Sequence, residues 1–120
     1  MSANSTSDGF AYDMAERENA LLITLTGSAD VAHASKLERC AMTAMAYRQP
    51  LVVLDLTNLA FISSIGIGSL LSMRRAAQRR GAKFRVAGVC GPLADLFATS
   101  GLTSVFSGYD TVDAALAAPN

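Results

Sequence analysis

The chain has 120 residues, of which 51% are hydrophobic, and its ten Lys and Arg residues are balanced by ten Asp and Glu residues. This length and composition predict one compact domain that folds without disulfides or metals. Zero net charge supplies no long-range field, which disfavours nucleic acid and anionic membranes as partners. Because no apolar run in the sequence is long enough to span a bilayer, we expect no membrane insertion and a cytoplasmic protein.

The amino-terminal part of the sequence predicts a tail followed by a hairpin. Residues 1–8 are small and polar, which is typical of a flexible tail. We therefore place a single domain over residues 9–118. Apolar and polar residues alternate over residues 10–15, and residues 21–26 form a second candidate strand. A polar turn joins the two segments, so an antiparallel hairpin is expected.

The middle of the chain predicts two helices on either side of a buried strand. Asp30 lies in a turn and is expected to cap a helix that runs to about Tyr47. The unbroken apolar run over residues 51–56 indicates a strand covered on both faces. Residues 57–64 then read as a connection, and the next helix is expected to begin at Ser64 and to end before Gly81.

The remaining third of the chain predicts short elements. They are a strand over residues 83–89, a helix over 91–99, a short edge strand over 102–106 and a last helix capped by Asp110. The order of all elements predicts an α/β fold. We expect a small mixed β-sheet of four to five strands with about four helices.

The turn that follows the buried strand is the predicted functional region, because functional groups collect where strands of such sheets lead into helices. Ser63 and Ser64 lie at the helix start, where free N–H groups and the helix dipole accept an anion, including a phosphate carried by a serine. Helix capping alone is the alternative reading, since Ser is a common cap. Gly66 and Gly68 each cost the helix about 1 kcal/mol relative to Ala. Either close packing or the approach of another protein would explain why these two positions lack a side chain.

The other candidate groups do not form an arrangement typical of an enzyme. The one histidine, His33, is far in sequence from every nucleophile candidate, so we expect no catalytic residues and no enzymatic activity. Asp55 lacks a second carboxylate nearby, and we expect it to order the loop. Cys40 and Cys90 have no closely spaced Cys or His, so we expect reduced, buried thiols, no metal and no cofactor.

One basic cluster stands out on the helix that begins at Ser64. Its members are Arg74, Arg75, Arg79 and Arg80, with Lys83 just beyond the helix. Cations in a last helical turn suit the negative end of the helix dipole. The cluster also leaves room for an acidic partner.

Residues 51–71, which include the serine pair and the two glycines, resemble the signature region of STAS domains, the anti-sigma factor antagonist family. The Gly-x-x-Asp turn at 27–30, Gly81 with the strand after it, and residues 96–102 and 113–116 look like further landmarks of that family. The resemblance covers nearly everything from Phe10 onward and implies a STAS-like fold.

The resemblance also implies a function and a site. Switch members of the family carry Asp-Ser-Ser-Gly or Asp-Ser-Thr-Gly, whose first serine is phosphorylated by an anti-sigma factor with kinase activity. Ser64 matches that serine, whereas Ser63 stands in place of the Asp and Ile65 in place of the second Ser or Thr. The implied partner is thus an anti-sigma factor of the serine kinase type, whose binding releases a sigma factor and is switched off by phosphorylation at Ser64. The implied partner-binding residues are Asp30, Ser63, Ser64, Ile65, Gly66, Ile67 and Gly68.

Two further functions stay open on the sequence. The domain is alternatively a non-phosphorylated STAS interaction subunit of a transporter or stress-signalling complex, which Ser63 in place of Asp favours. A small anion or nucleotide sensor that uses the helix start at Ser64 is the other alternative. The oligomeric state stays open for each of these functions.

Overall fold

The computed structural model describes the backbone of residues 3–7 and 9–119 and the side chains of residues 9–119. Six strands form one sheet: β1 (Ala3–Ser7), β2 (Phe10–Arg17), β3 (Ala20–Ala29), β4 (Leu51–Ile62), β5 (Lys83–Ala87) and β6 (Ser107–Tyr109). The α-helices of this part of the chain are α1 (Ala34–Ala44), α2 (Ser64–Arg79), α3 (Gly91–Thr99) and α4 (Val112–Ala117). Single-turn 3-10 helices occupy Val31–His33 and Leu102–Ser104.

The sheet is mixed, as the order of elements predicts. Its strands lie side by side in chain order, antiparallel from β1 to β3 and parallel from β3 to β6. The predicted hairpin is confirmed as β2 and β3, whose tight turn contains Asn19 with a φ of 62°. Asn tolerates this left-handed conformation better than most residues because its short side chain bonds locally. The predicted α/β class is therefore confirmed.

Helices cover both faces of the central strand β4. Leu54 belongs to the large core that also holds Leu37 of α1, Leu70 of α2 and Leu93 of α3. Val53 faces the opposite way and packs in a small second core with Ala115 of α4. Both Leu54 and Val53 are fully buried. The unbroken apolar run of this strand reflects burial on its two faces.

The predicted flexible tail is wrong for Ala3–Ser7, whose backbone pairs antiparallel with β2. Pairing at a sheet edge satisfies backbone N–H and C=O groups and needs no apolar side chains, so composition does not reveal it. This extra edge strand gives the sheet six strands where the sequence predicts four to five. Residues 1, 2 and 8 of the predicted tail lie outside the described residues.

The predicted connection over residues 57–64 is wrong for most of its length, because β4 continues to Ile62. The long β3 runs beside it, and the parallel pairing persists to Ala29 opposite Ile62 through two register shifts. The chain therefore passes from strand to helix through Ser63 alone. At the other end, α1 ends at Ala44, short of the predicted Tyr47.

Two predictions near the carboxyl end are also wrong. Residues 102–106 contain a 3-10 helix, and the edge strand β6 comes later, where Ser107 pairs with β5. Asp110 does not cap α4. Thr111 does, and its Oγ1 accepts a hydrogen bond from the N–H of Ala114 at 3.1 Å. The Thr111 hydroxyl lies within hydrogen-bond distance of the N–H of the third helical residue, so Thr111 caps the helix and the Asp110 carboxylate does not.

Candidate functional site

Ser63 is the residue at which the chain turns from β4 into α2. Its backbone is extended, its N–H donates to the carbonyl of Ala29 at 2.8 Å, and its Oγ accepts from the N–H of Gly66 at 3.1 Å. The side chain is only 7% exposed. Ser63 is thus a structural helix cap whose hydroxyl is occupied and hidden from a modifying enzyme.

Ser64 differs from its neighbour in every respect that matters for modification. It is the first residue of α2 and is exposed. No described residue hydrogen-bonds to its hydroxyl, and the first turn of a helix leaves N–H donors free around it. The structure places an accessible hydroxyl at the positive end of a helix dipole.

The two glycines of α2 have different structural roles. A Cβ added at Gly66 would lie 2.6 Å from Cγ1 of Ile62 and 3.2 Å from Cδ2 of Leu37. Both neighbours are 1% exposed, so Gly66 lets α2 pack closely on β4 and α1. A Cβ added at Gly68 would meet no described atom within 4 Å. Packing therefore explains the first glycine and leaves the second on the open surface.

Exposed apolar residues lie close to Ser64 along the chain or at the same edge of the sheet. Ile65 is 57% exposed, Phe61 at the end of β4 is 45% exposed, and Val31 is 66% exposed. The parallel ends of β3 and β4 bring Val31 to the same edge of the sheet as Ser64. We call Val31, Phe61, Ser64, Ile65 and Gly68 the docking rim. Val31 and Phe61 are not among the residues that the sequence pattern singles out, because only their exposure distinguishes them from core residues.

Ile67, by contrast, is half-buried and packs against the large core. It therefore belongs to the packed side of α2. Three of the residues that the resemblance implies for partner binding are buried or half-buried, namely Ser63, Gly66 and Ile67. Three others are exposed, namely Ser64, Ile65 and Gly68.

Asp30 lies beside the rim but does not cap a helix as predicted, since its side chain makes no capping hydrogen bond. Its Oδ1 lies 2.9 Å from Nδ1 of His33, which is 3.1 Å from the carbonyl oxygen of Ser28. The turn before it requires glycine, because Gly27 has a φ of 93° and a Cβ there would overlap the carbonyl of Gly9. The hydrogen bond between His33 and the carbonyl of Ser28 thus ties the start of the helical segment to the turn before Val31, whereas Oδ1 of Asp30 makes no hydrogen bond with a described residue.

Asp55 lies away from the rim. Its Oδ1 accepts hydrogen bonds from the N–H and the hydroxyl of Thr57, at 3.1 and 2.6 Å. The seven steps along the strand from Asp55 to Ile62 correspond to roughly 23 Å. Asp55 orders the backbone at Thr57, against which Gly88 packs too closely for any side chain. Its action is on the middle of β4, not on the serine pair.

The two cysteines differ in exposure. Cys40 is buried, and burial raises the pKa of its thiol to about 12. Cys90 is exposed, contrary to the expectation of two buried thiols, because it is the extended residue that precedes α3 at the surface. Among the described side chains, no group of three or more His, Cys, Asp and Glu is placed to hold a metal ion. Nor is any described helix long and apolar enough to cross a membrane.

Comparison with known proteins identifies one family. The STAS-domain family model matches residues 11–115. No similar sequence was found among curated proteins.

Solved structures share the fold. An anti-sigma factor antagonist from Mycobacterium paratuberculosis is 23% identical, with a TM-score of 0.81 over 93% of this chain and 95% of that one. The phosphorylated form of the Bacillus cell fate determinant SpoIIAA is 18% identical, with a TM-score of 0.65 over 88% and 96%. A sulfate transporter family protein from Wolinella succinogenes is 17% identical, with a TM-score of 0.71 over 86% of each chain.

Proposed function

The chain belongs to the STAS-domain family, and on that premise we propose that it acts in the cytoplasm as an anti-sigma factor antagonist. In this proposal the docking rim binds an anti-sigma factor of the serine kinase type and so releases a sigma factor. Phosphorylation at Ser64 switches the binding off. The observation that carries the proposal is the contrast between the buried hydroxyl of Ser63 and the exposed hydroxyl of Ser64, set among exposed apolar side chains.

The unmodified rim is suited to binding a protein surface. Val31, Phe61 and Ile65 are about half exposed or more. Full burial of a wholly exposed side chain of this size contributes about 1.5–3 kcal/mol, so covering the exposed half of each one contributes about half of that. Gly68 lies four residues after Ser64 and three after Ile65, on the same helix face. Its missing side chain lets a partner backbone approach the hydroxyl of Ser64 closely.

A phosphate on Ser64 would act on the complex and leave the fold intact. It adds about 1.5–2 negative charges. At the first position of α2 the helix dipole stabilises such a charge by about 0.3–1 kcal/mol, so the free domain tolerates it. Docking, however, would have to remove water from this charge among apolar side chains, and that desolvation is costly. Phosphorylation therefore weakens binding without unfolding the protein.

Intact-protein mass spectrometry tests the modification. The chain is incubated with ATP and its cognate anti-sigma kinase, and we expect the mass of one added phosphoryl group. Ser64→Ala should abolish the gain. Ser72→Ala, which changes an exposed serine on the same helix, is the matched control and should keep it. Modification that persists in Ser64→Ala would refute the assignment of this serine.

A constitutive interaction subunit of a transporter or stress-signalling complex is the second candidate. Ser63 in place of the Asp of switch members favours it, because a buried capping hydroxyl supplies no carboxylate beside the phosphoacceptor. Under this alternative, the chain binds its partner through the same rim and gains no phosphoryl group with any kinase encoded nearby.

A further inference from the structure

A cavity of about 460 Å³ lies at the opposite end of the molecule from the docking rim. It is bounded by the last turns of α2, the start of β5 and the edge strand β6. Three of the chain's ten basic residues line it, namely Arg74, Lys83 and Arg85. The described lining contains no carboxylate. A chain of zero net charge thus concentrates positive charge in one concave place, where low-dielectric walls strengthen the local field.

Arg85 is the anchored member of this cavity. Its side chain is 5% exposed, and its guanidinium donates to the carbonyls of Ala115, Ala118 and Pro119 at 2.8–3.1 Å. The guanidinium carbon also lies 5.5 Å from the centre of the Tyr109 ring. These partners fix the guanidinium but are all neutral, and the described residues give it no ion pair. A buried cation without a counter-ion is costly, and a bound anion lowers that cost.

The guanidinium retains donors for such an anion. Arginine has about five N–H donors, and three hydrogen bonds are accounted for by the carbonyls of the chain's carboxyl end. Ser107 and Tyr109 add hydroxyl groups to the lining, and Gln78 adds an amide. The planar fork of arginine matches the oxygens of a phosphate group, and lysine adds a point charge.

The cavity is open because the sheet edge is incomplete there. The three residues of β6 pair with Arg85, Val86 and Ala87, so β5 begins two residues before its partner strand does. Lys83 and Phe84 pair with β4 on one side, and on the other side they border the cavity where β6 is absent. The opening connects the cavity, which Arg85 helps to line, with solvent.

We propose that this cavity binds a small molecule that carries a phosphate group. Arg74, Lys83 and Arg85 receive the phosphate, and the remaining volume accommodates the body of the molecule. The volume lies within the range of about 300–1,000 Å³ that is typical of small-molecule sites. Arg74 lies ten positions after Ser64 along α2, which corresponds to about 15 Å. The site is thus distinct from the docking rim.

Titration of the full chain with ribose 5-phosphate, followed by ¹H–¹⁵N NMR, tests the proposal. We expect saturable shifts of the Lys83 and Ser107 amides, and none with uncharged ribose. The double variant Arg74→Ala/Lys83→Ala should weaken binding at least about tenfold. Arg75→Ala is the matched control, since Arg75 is exposed on the same helix and outside the cavity lining. Because Arg85 is left in place, the carboxyl end keeps its hydrogen bonds and the variants should unfold at the parent temperature.

Three results would overturn the proposal. One is the absence of saturable shifts. Another is a set of shifts confined to the start of α2 around Ser64, which would place the anion at the helix amino terminus. The third is equal weakening by Arg75→Ala, which would show that only the general charge of the helix matters.

Discussion

Alanine at Gly66 and alanine at Gly68 are expected to change the stability of the domain in opposite directions. Both positions lie in the first two turns of α2, so the helix gains the same intrinsic preference of about 1 kcal/mol from each change. Their surroundings differ. At Gly68 the new methyl group meets no described atom within 4 Å, so the free energy of unfolding should rise by about 0.5–1 kcal/mol.

At Gly66 the methyl group would lie 2.6 Å from Cγ1 of Ile62, and real Cβ contacts are essentially never this close. Ile62 is a buried, branched side chain next to its own backbone, so it cannot swing away, and Leu37 closes the other side. Overpacking of this kind costs about 1–3 kcal/mol. After the helix preference is subtracted, the net loss reaches about 2 kcal/mol.

Urea unfolding of the parent and the two variants measures the difference. We expect Gly68→Ala to exceed Gly66→Ala by about 1–3 kcal/mol with an unchanged dependence on denaturant. Equal stabilities, or a more stable Gly66→Ala, would refute the assignment of Gly66 to close packing of α2 on β4.

Four further predictions concern other parts of the fold. Iodoacetamide at about pH 8 should modify the native chain once, at Cys90, because burial raises the pKa of Cys40 to about 12; two adducts on folded protein would contradict this. The Cys40 thiol ionises in the unfolded chain near its ordinary pKa of 9.0, whereas burial keeps it neutral in the folded chain until about pH 12. The free energy of unfolding should therefore fall as pH rises above 9.0. Thr111→Ala should cost about 1 kcal/mol in unfolding measurements and Asp110→Ala almost nothing, and the reverse order would restore Asp110 as the cap. Arg85→Met should lower the free energy of unfolding by about 2–4 kcal/mol, because it leaves three carbonyls without their hydrogen-bond donor. A loss below about 1 kcal/mol would show that water replaces the guanidinium as the donor.

The sequence is sufficient to predict an element where the hydrophobic pattern and the helix-capping signals agree. The buried strand over residues 51–56 and the start of α2 at Ser64 are found as predicted, because a continuous apolar run and a Ser cap are local signals. The true end of β4 at Ile62 is not local. It depends on pairing with the far end of β3, which the residues between Leu56 and Ile62 do not encode by themselves.

At the candidate site, too, the parts that individual residues play depend on contacts with distant segments of the chain. Sequence identifies Ser63 and Ser64 as a pair but cannot tell which hydroxyl is buried, because that depends on where Ala29 meets the chain. The glycines likewise look equivalent until Ile62 and Leu37 are in place.

Titration calorimetry can compare the affinity of the anti-sigma factor for the unmodified chain with its affinity for the chain phosphorylated at Ser64. We expect a well-folded phosphoprotein that binds at least about tenfold more weakly, a difference of about 1.4 kcal/mol or more. Equal affinity of the two forms would contradict this expectation.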